Sequence, residues 1–114
     1  MKIVVISDLH SNYDALSALP ELGDELWVLG DLVNYGPMPV EVVSFVRAHS
    51  ETVVRGNHDH AVGFDVDPRC TPRYAEMADT TMQYSHDSSR AGCWIVPSIR
   101  TAGIPFSGSA LNFR

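Results

Sequence analysis

Two cysteines, Cys70 and Cys93, are all that the 114 residues contain. They are too few and too far apart for a disulfide framework or a cysteine-rich zinc site. Both are expected to be free thiols in a reducing compartment. Basic residues are scarce as well: 8 Lys and Arg against 14 Asp and Glu leave a formal charge of -6. No basic cluster exists to neutralise a run of phosphates, which argues against long DNA or RNA as a partner. A small phosphorylated ligand is a different matter, because bound metal would dominate the local field. Long apolar runs are missing too. Ile3-Val4-Val5-Ile6 is shorter than a signal-peptide core and gives way at once to Ser7, Asp8 and His10, and no later run approaches the ~20 residues of a membrane span. A soluble, cytoplasmic protein without a membrane partner is expected. There is no internal repeat or low-complexity tract, and none of the five histidines follows a glycine.

What is present is patterning for one α/β domain, with 45% hydrophobic residues sufficient for a modest core. The β-branched run over residues 2–6 suits a buried strand of a parallel sheet. Asn12 is placed to cap a helix through Leu16 and Leu19, which Pro20 and Gly23 end. Residues 25–29 form a second strand stopping at Gly30-Asp31. Val40, Val43, Phe45 and Val46 have roughly helical spacing, closed by His49 and Ser50. A third strand, Thr52 to Arg55, stops at Gly56. Thr71-Pro72 then resembles an N-cap with proline at the first helical position, and Tyr74, Met77, Ala78, Thr81 and Tyr84 continue one face. The stripe of Tyr74, Met77, Thr81 and Tyr84 is expected to be core packing. Residues 86–114 lose this character; only Cys93-Trp94-Ile95-Val96 is strand-like.

Repeated strand-helix units imply right-handed crossovers, and in such sheets the loops leaving the carboxyl ends of the strands build the ligand site. Three polar motifs fall at those ends: Asp8-Leu9-His10, Gly30-Asp31 and Gly56-Asn57-His58-Asp59. Asp8 and His10, two positions apart on extended chain, can present one carboxylate oxygen and one imidazole nitrogen to a single cation. Asp31 has two oxygens with which to bridge two cations, and Asn57 offers a neutral carbonyl to the second. Such mixed ligation suits Mn, Fe, Zn or Ni. Two divalent cations ~3.5–4 Å apart activate water and stabilise in-line attack on phosphorus. His58 is placed to donate a proton as imidazolium to a leaving alkoxide or to stabilise phosphate charge, with Asp59 orienting its ring.

The order D-x-H, G-D, G-N-H-D, each after a strand, resembles the calcineurin-like metallophosphoesterases. Ser7-Asp8-Leu9-His10-Ser11-Asn12 with Gly30-Asp31-Leu32-Val33-Asn34-Tyr35-Gly36-Pro37 is similar to their small bacterial phosphodiesterase-like branch in particular. The resemblance implies the N-terminal half of an αββα sandwich with a mainly parallel sheet. It also implies Asp8 and His10 on one metal, Asp31 bridging, Asn57 on the other, and His58 assisting phosphate binding and proton transfer. It covers residues 1–85. In the family a second half supplies further histidines, one followed by Gly and a later G-H-x-H pair; this chain has neither. The second cation is then left with Asp31 and Asn57 and is expected to bind weakly.

Two functional readings follow. One is a metal-dependent phosphoester hydrolase acting on a small phosphoester, completed by oligomerisation or by further ligands. The other is a truncated, non-catalytic metal-binding or interaction remnant, the tail reflecting truncation or a frame change. Crossovers running in one direction put their helices on one sheet face, so the other is expected to need cover from the last helix, the tail or a second subunit. Of the remaining histidines, His60 reads as a solvated loop residue and His49 as a helix C-terminal residue. His86 lies too close behind a helix for the family pattern. Asn34-Tyr35-Gly36-Pro37 reads as a turn, with Tyr35 placed to line a substrate pocket.

Overall fold

The computed structural model describes residues 1–50 and 52–92, with side chains described to residue 88. Three parallel strands, β1 (Ile3–Ile6), β2 (Glu25–Val28) and β3 (Thr52–Val53), lie side by side in chain order. The register pairs Val4 with Leu26, and Ile6 with Val28, which in turn pairs with Val53. Helices α1 (Tyr13–Ser17) and α2 (Pro39–His49) make the two crossovers. β1 spans the whole Ile3–Ile6 apolar run, whereas β2 ends one residue short of the predicted 25–29 and β3 two short of the predicted Thr52–Arg55.

Each helix start has a local cause. The Asn12 side chain accepts the Ala15 N–H at 3.0 Å, and Pro39 opens α2 at a position where its missing N–H costs nothing. α1 stops at Ser17, short of the predicted Leu19. Val42, Val43 and Val46 of α2 bury their side chains against Leu26, Val28 and Val53, together with Leu16, Leu32, Val33 and Val62. Each such burial stabilises by about 1.5–3 kcal/mol.

One sheet face is thus sealed. On the other, Val5, Trp27 and Leu29 are exposed, in line with crossovers that run in one direction. The last helix, α4 (Ala75–Gly92), packs on α2 and on α3 (Asn57–Phe64).

Three elements depart from the sequence reading. The G-N-H-D motif, expected only as a polar segment at the end of the third strand, opens helix α3. Gly56 is extended ahead of it, and Asp59 at the third helical position accepts the Gly56 N–H at 2.8 Å, which nucleates the first turn. Thr71-Pro72 begins a 3-10 turn (Pro72–Tyr74), and the α-helix starts only at Ala75, continuing seven residues past Ser85. Lastly, Tyr74, Met77 and Tyr84 are exposed instead of forming core. The face of α4 turned inward carries the small Ala78 and Ser85, which let the helix approach closely. The strand-like run from Cys93 to Val96 lies outside the described residues. Among the described residues, no helix is long and apolar enough to cross a membrane.

Candidate metal centre

The loops after β1 and β2 are zipped together by backbone bonds that extend the strand pairing. Asp8 N–H donates to Gly30 O, His10 N–H to Asp31 O and Ser11 N–H to Leu32 O, at 2.8–3.0 Å. The loops are sharply bent: six of the eight described non-glycine residues with positive φ are Asp8, His10, Ser11, Asp31, Asn34 and Tyr35. Such backbone costs about 1–3 kcal/mol per residue and persists where surrounding structure over-determines it. Two glycines make the packing feasible. A Cβ on Gly30 would come within 2.6 Å of the Gly56 nitrogen, and one on Gly56 within 2.0 Å of Asp31 Oδ1.

These loops bring one carboxylate oxygen each from Asp8 and Asp31 and one nitrogen of His10 to within 4.8 Å of one another. His10 Nε2 lies 3.6 Å from Asp8 Oδ1. Its Nδ1 faces the Val33 carbonyl at 3.2 Å. A carbonyl only accepts, so Nδ1 carries the proton and the Nε2 lone pair is left for a cation, the usual arrangement behind a metal-ligating histidine. Asp31 Oδ1 accepts the His58 N–H at 3.0 Å, which fixes its carboxylate. The donor set therefore fits a divalent cation.

His58 is buried beside His10 and Tyr35. Its ring centroid is 5.0 Å from that of His10 and 4.8 Å from that of Tyr35. His58 Nδ1 lies 3.1 Å from Asn34 Nδ2. Burial lowers the His58 pKa below the ordinary imidazole value; Asp31 and Asp8 pull it up and His10 pushes it down. Burial, Cys70 and then Asp31 push the Tyr35 phenol up to about 12, so it stays a neutral O–H at neutral pH.

The family model of the calcineurin-like phosphoesterases matches residues 1–107. The chain belongs to that family. It is 40% identical over 67 residues to a symmetrical bis(5'-nucleosyl)-tetraphosphatase of Psychromonas ingrahamii, a match covering 52% of this chain and 24% of that protein. It is 43% identical over 67 residues to an uncharacterised protein, MJ0912, of Methanocaldococcus jannaschii, covering 53% and 27%. Among solved structures, a metallophosphoesterase from Sphaerobacter thermophilus superposes with a TM-score of 0.56 at 37% identity, covering 74% of this chain and 36% of that one. The fold is shared with hypothetical protein PH1004 from Pyrococcus horikoshii, at a TM-score of 0.57 and 22% identity. The chain spans about a quarter of the length of the curated relatives it matches. The architecture is that of the N-terminal half of the phosphoesterase fold.

Of the residues singled out in the sequence, Asp8, His10 and Asp31 converge, and His58 stands beside them. Asn57 is next to His58, and its Nδ2 donates to the Pro68 carbonyl at 2.6 Å, so Oδ1 is the atom left for a cation. Asp59 requires a correction. It does not orient the His58 ring: fully buried, it accepts the N–H groups of Asp31 (2.8 Å), Leu32 (2.7 Å), Val33 (3.2 Å) and Gly56 (2.8 Å). Burial raises its pKa to about 7 against the pull of the Gly56, Val33 and Leu32 N–H bonds. Asp59 shapes the loop that carries Asp31. The residue facing His58 is Asn34, which the sequence reading took for a turn residue. Its signal was its place three residues after Asp31, in the loop that carries the Asp31 carboxylate. His60 is also not a solvated loop histidine; it lies half-buried on α3 with its ring against Phe64. His86 is on α4 beside Asp87.

Proposed function

We propose that this chain carries the cation-binding part of a metal-dependent phosphoester hydrolase that acts on a small phosphoester in the cytoplasm. The convergence of Asp8, His10 and Asp31 within 4.8 Å, in a member of the phosphoesterase family, carries the reading. Asp8, His10 and Asp31 would hold the first of two divalent ions, and Asn57 with the shared Asp31 the second, more weakly. When bound, divalent cations of this kind activate water and offset charge on the phosphoryl group. The chain's own part is positional. Val33 O keeps the His10 Nε2 lone pair available, and the His58 N–H holds Asp31. With Nδ1 turned to Asn34, neutral His58 offers its Nε2–H to a phosphoryl or leaving oxygen, a hydrogen-bond donor in place of the imidazolium expected from sequence. The tetraphosphatase relatives support a phosphorylated small molecule as substrate.

Hydrolysis of aryl phosphomonoesters and phosphodiesters in manganese, with Asp31→Asn as control, tests the proposal. Turnover that falls at least ~100-fold in Asp31→Asn is expected, the scale on which a lost electrostatic contact is felt. No turnover in the unaltered chain would instead favour a cation-binding remnant.

A further inference from the structure

The side-chain amide of Asn57 has one hydrogen-bond partner among the described residues, and it is a backbone group. The chain leaving α3 at Asp65 runs back to the start of the helix, where the carbonyl of the buried Pro68 meets Asn57 at 2.6 Å. A carbonyl only accepts, so the end of the amide facing it must be Nδ2. Turned the other way, the amide would set oxygen against oxygen. Oδ1 has no hydrogen bond among the described residues.

What aims that carbonyl is the other end of its own peptide group. Pro68 C=O and Arg69 N–H belong to one planar unit and point in opposite directions across it, and Asp67 Oδ1 accepts the Arg69 N–H at 2.7 Å. The unit is held at both ends. On one side of it the proline ring fixes φ. On the other, Arg69 has a φ of 53°, a left-handed conformation that a side chain disfavours and that surrounding contacts must hold. Asp67 and Arg69 are otherwise exposed and make no further hydrogen bond or ion pair among the described residues, so this one bond does the holding. We propose that Asp67 is a positioning residue that, through the Pro68–Arg69 peptide, turns the Asn57 amide so that Oδ1 is the end offered to a ligand. Its bearing on a second cation rests on the reading of Asn57 as a ligand; the orientation does not.

Scalar coupling across the hydrogen bond, from the Asn57 side-chain 15N to the Pro68 carbonyl 13C, reads the contact in the full, metal-free chain. The unaltered chain is expected to show it. Asp67→Ala should lose it, and Asp67→Asn, whose amide oxygen still accepts from Arg69, should keep it although the charge is gone. No coupling in the unaltered chain, an undiminished one in Asp67→Ala, or Asp67→Asn behaving as Asp67→Ala would each overturn the proposal. Titration of the same three proteins with manganese then reads the cation. The weaker of two binding steps should fall ~10-fold or more in Asp67→Ala alone, as when the support of a metal ligand is removed, with the stronger step unchanged. A single step in the unaltered chain, or a weaker step that Asp67→Ala leaves as it was, would tell against Asn57 as a ligand and leave the orientation standing.

Discussion

On the open side of the junction between the first two loops, Asp8, His10 and Asp31 turn donor atoms toward a common point while remaining partly or largely solvent-accessible. On its buried side, Asp59 has no exposure and gives both oxygens to four backbone N–H groups. Asp31 and Asp59 are the same residue type, and the Asp31 N–H itself bonds to Asp59. What separates them is who supplies the partners. The backbone already satisfies Asp59, so it stabilises and has no capacity left for a ligand. Asp31 accepts one described N–H through Oδ1, and its remaining capacity is available to a cation. The same chemistry thus divides into a carboxylate beneath the centre that the backbone satisfies and one within it that is left open to a cation.

The sharpest way to break this contrast is Asp59→Ala. It strands four backbone N–H groups, three of them buried and each of those worth about 1–3 kcal/mol when unsatisfied, so urea unfolding should show a loss of about 3 kcal/mol or more. A loss below ~1 kcal/mol would mean that Asp59 does not hold the loop. Gly56→Ala couples the two sides. Its Cβ would need the space of Asp31 Oδ1, 2.0 Å away, so manganese affinity should fall ~10-fold or more, as when the support of a metal ligand is altered. Unchanged affinity would show that the Asp31 carboxylate is not confined there. The smallest effect is expected for Asp31→Asn in chelator. The amide keeps an oxygen for the His58 N–H, and unfolding should shift by no more than ~0.5 kcal/mol. A loss near 2 kcal/mol would place Asp31 with Asp59 as a structural group.

How much of this was legible in the sequence differs between the two sides. The β-branched runs at Ile3–Ile6 and Glu25–Val28, the Asn12 cap and the proline-opened α2 are local signals, and they gave the strands and the crossovers. Asp8, His10 and Asp31 were legible because strand ends bring motif residues to one edge of a parallel sheet. The buried side was not. Asp59 follows a histidine in sequence, which suggested a pair. In space its oxygens meet N–H groups of a loop that begins 28 residues earlier, and no local pattern encodes such a partner. α3 escaped for a related reason: its first turn is made of residues that read as metal and phosphate ligands, and the capping bond from Gly56 to Asp59 is visible only once folded. The α4 stripe failed because Tyr74, Met77 and Tyr84 have apolar bulk, whereas the packed side of the helix uses the small Ala78 and Ser85.

The claim at the centre is that Asp8, His10 and Asp31 hold a divalent cation through this chain's own atoms. Calorimetric titration of the metal-free chain with manganese, beside Asp31→Asn, measures it directly. The structure predicts saturable binding of at least one cation per chain, weakened ~10-fold or more by the substitution. Absence of binding in the unaltered chain, or equal affinity in the two proteins, would contradict it.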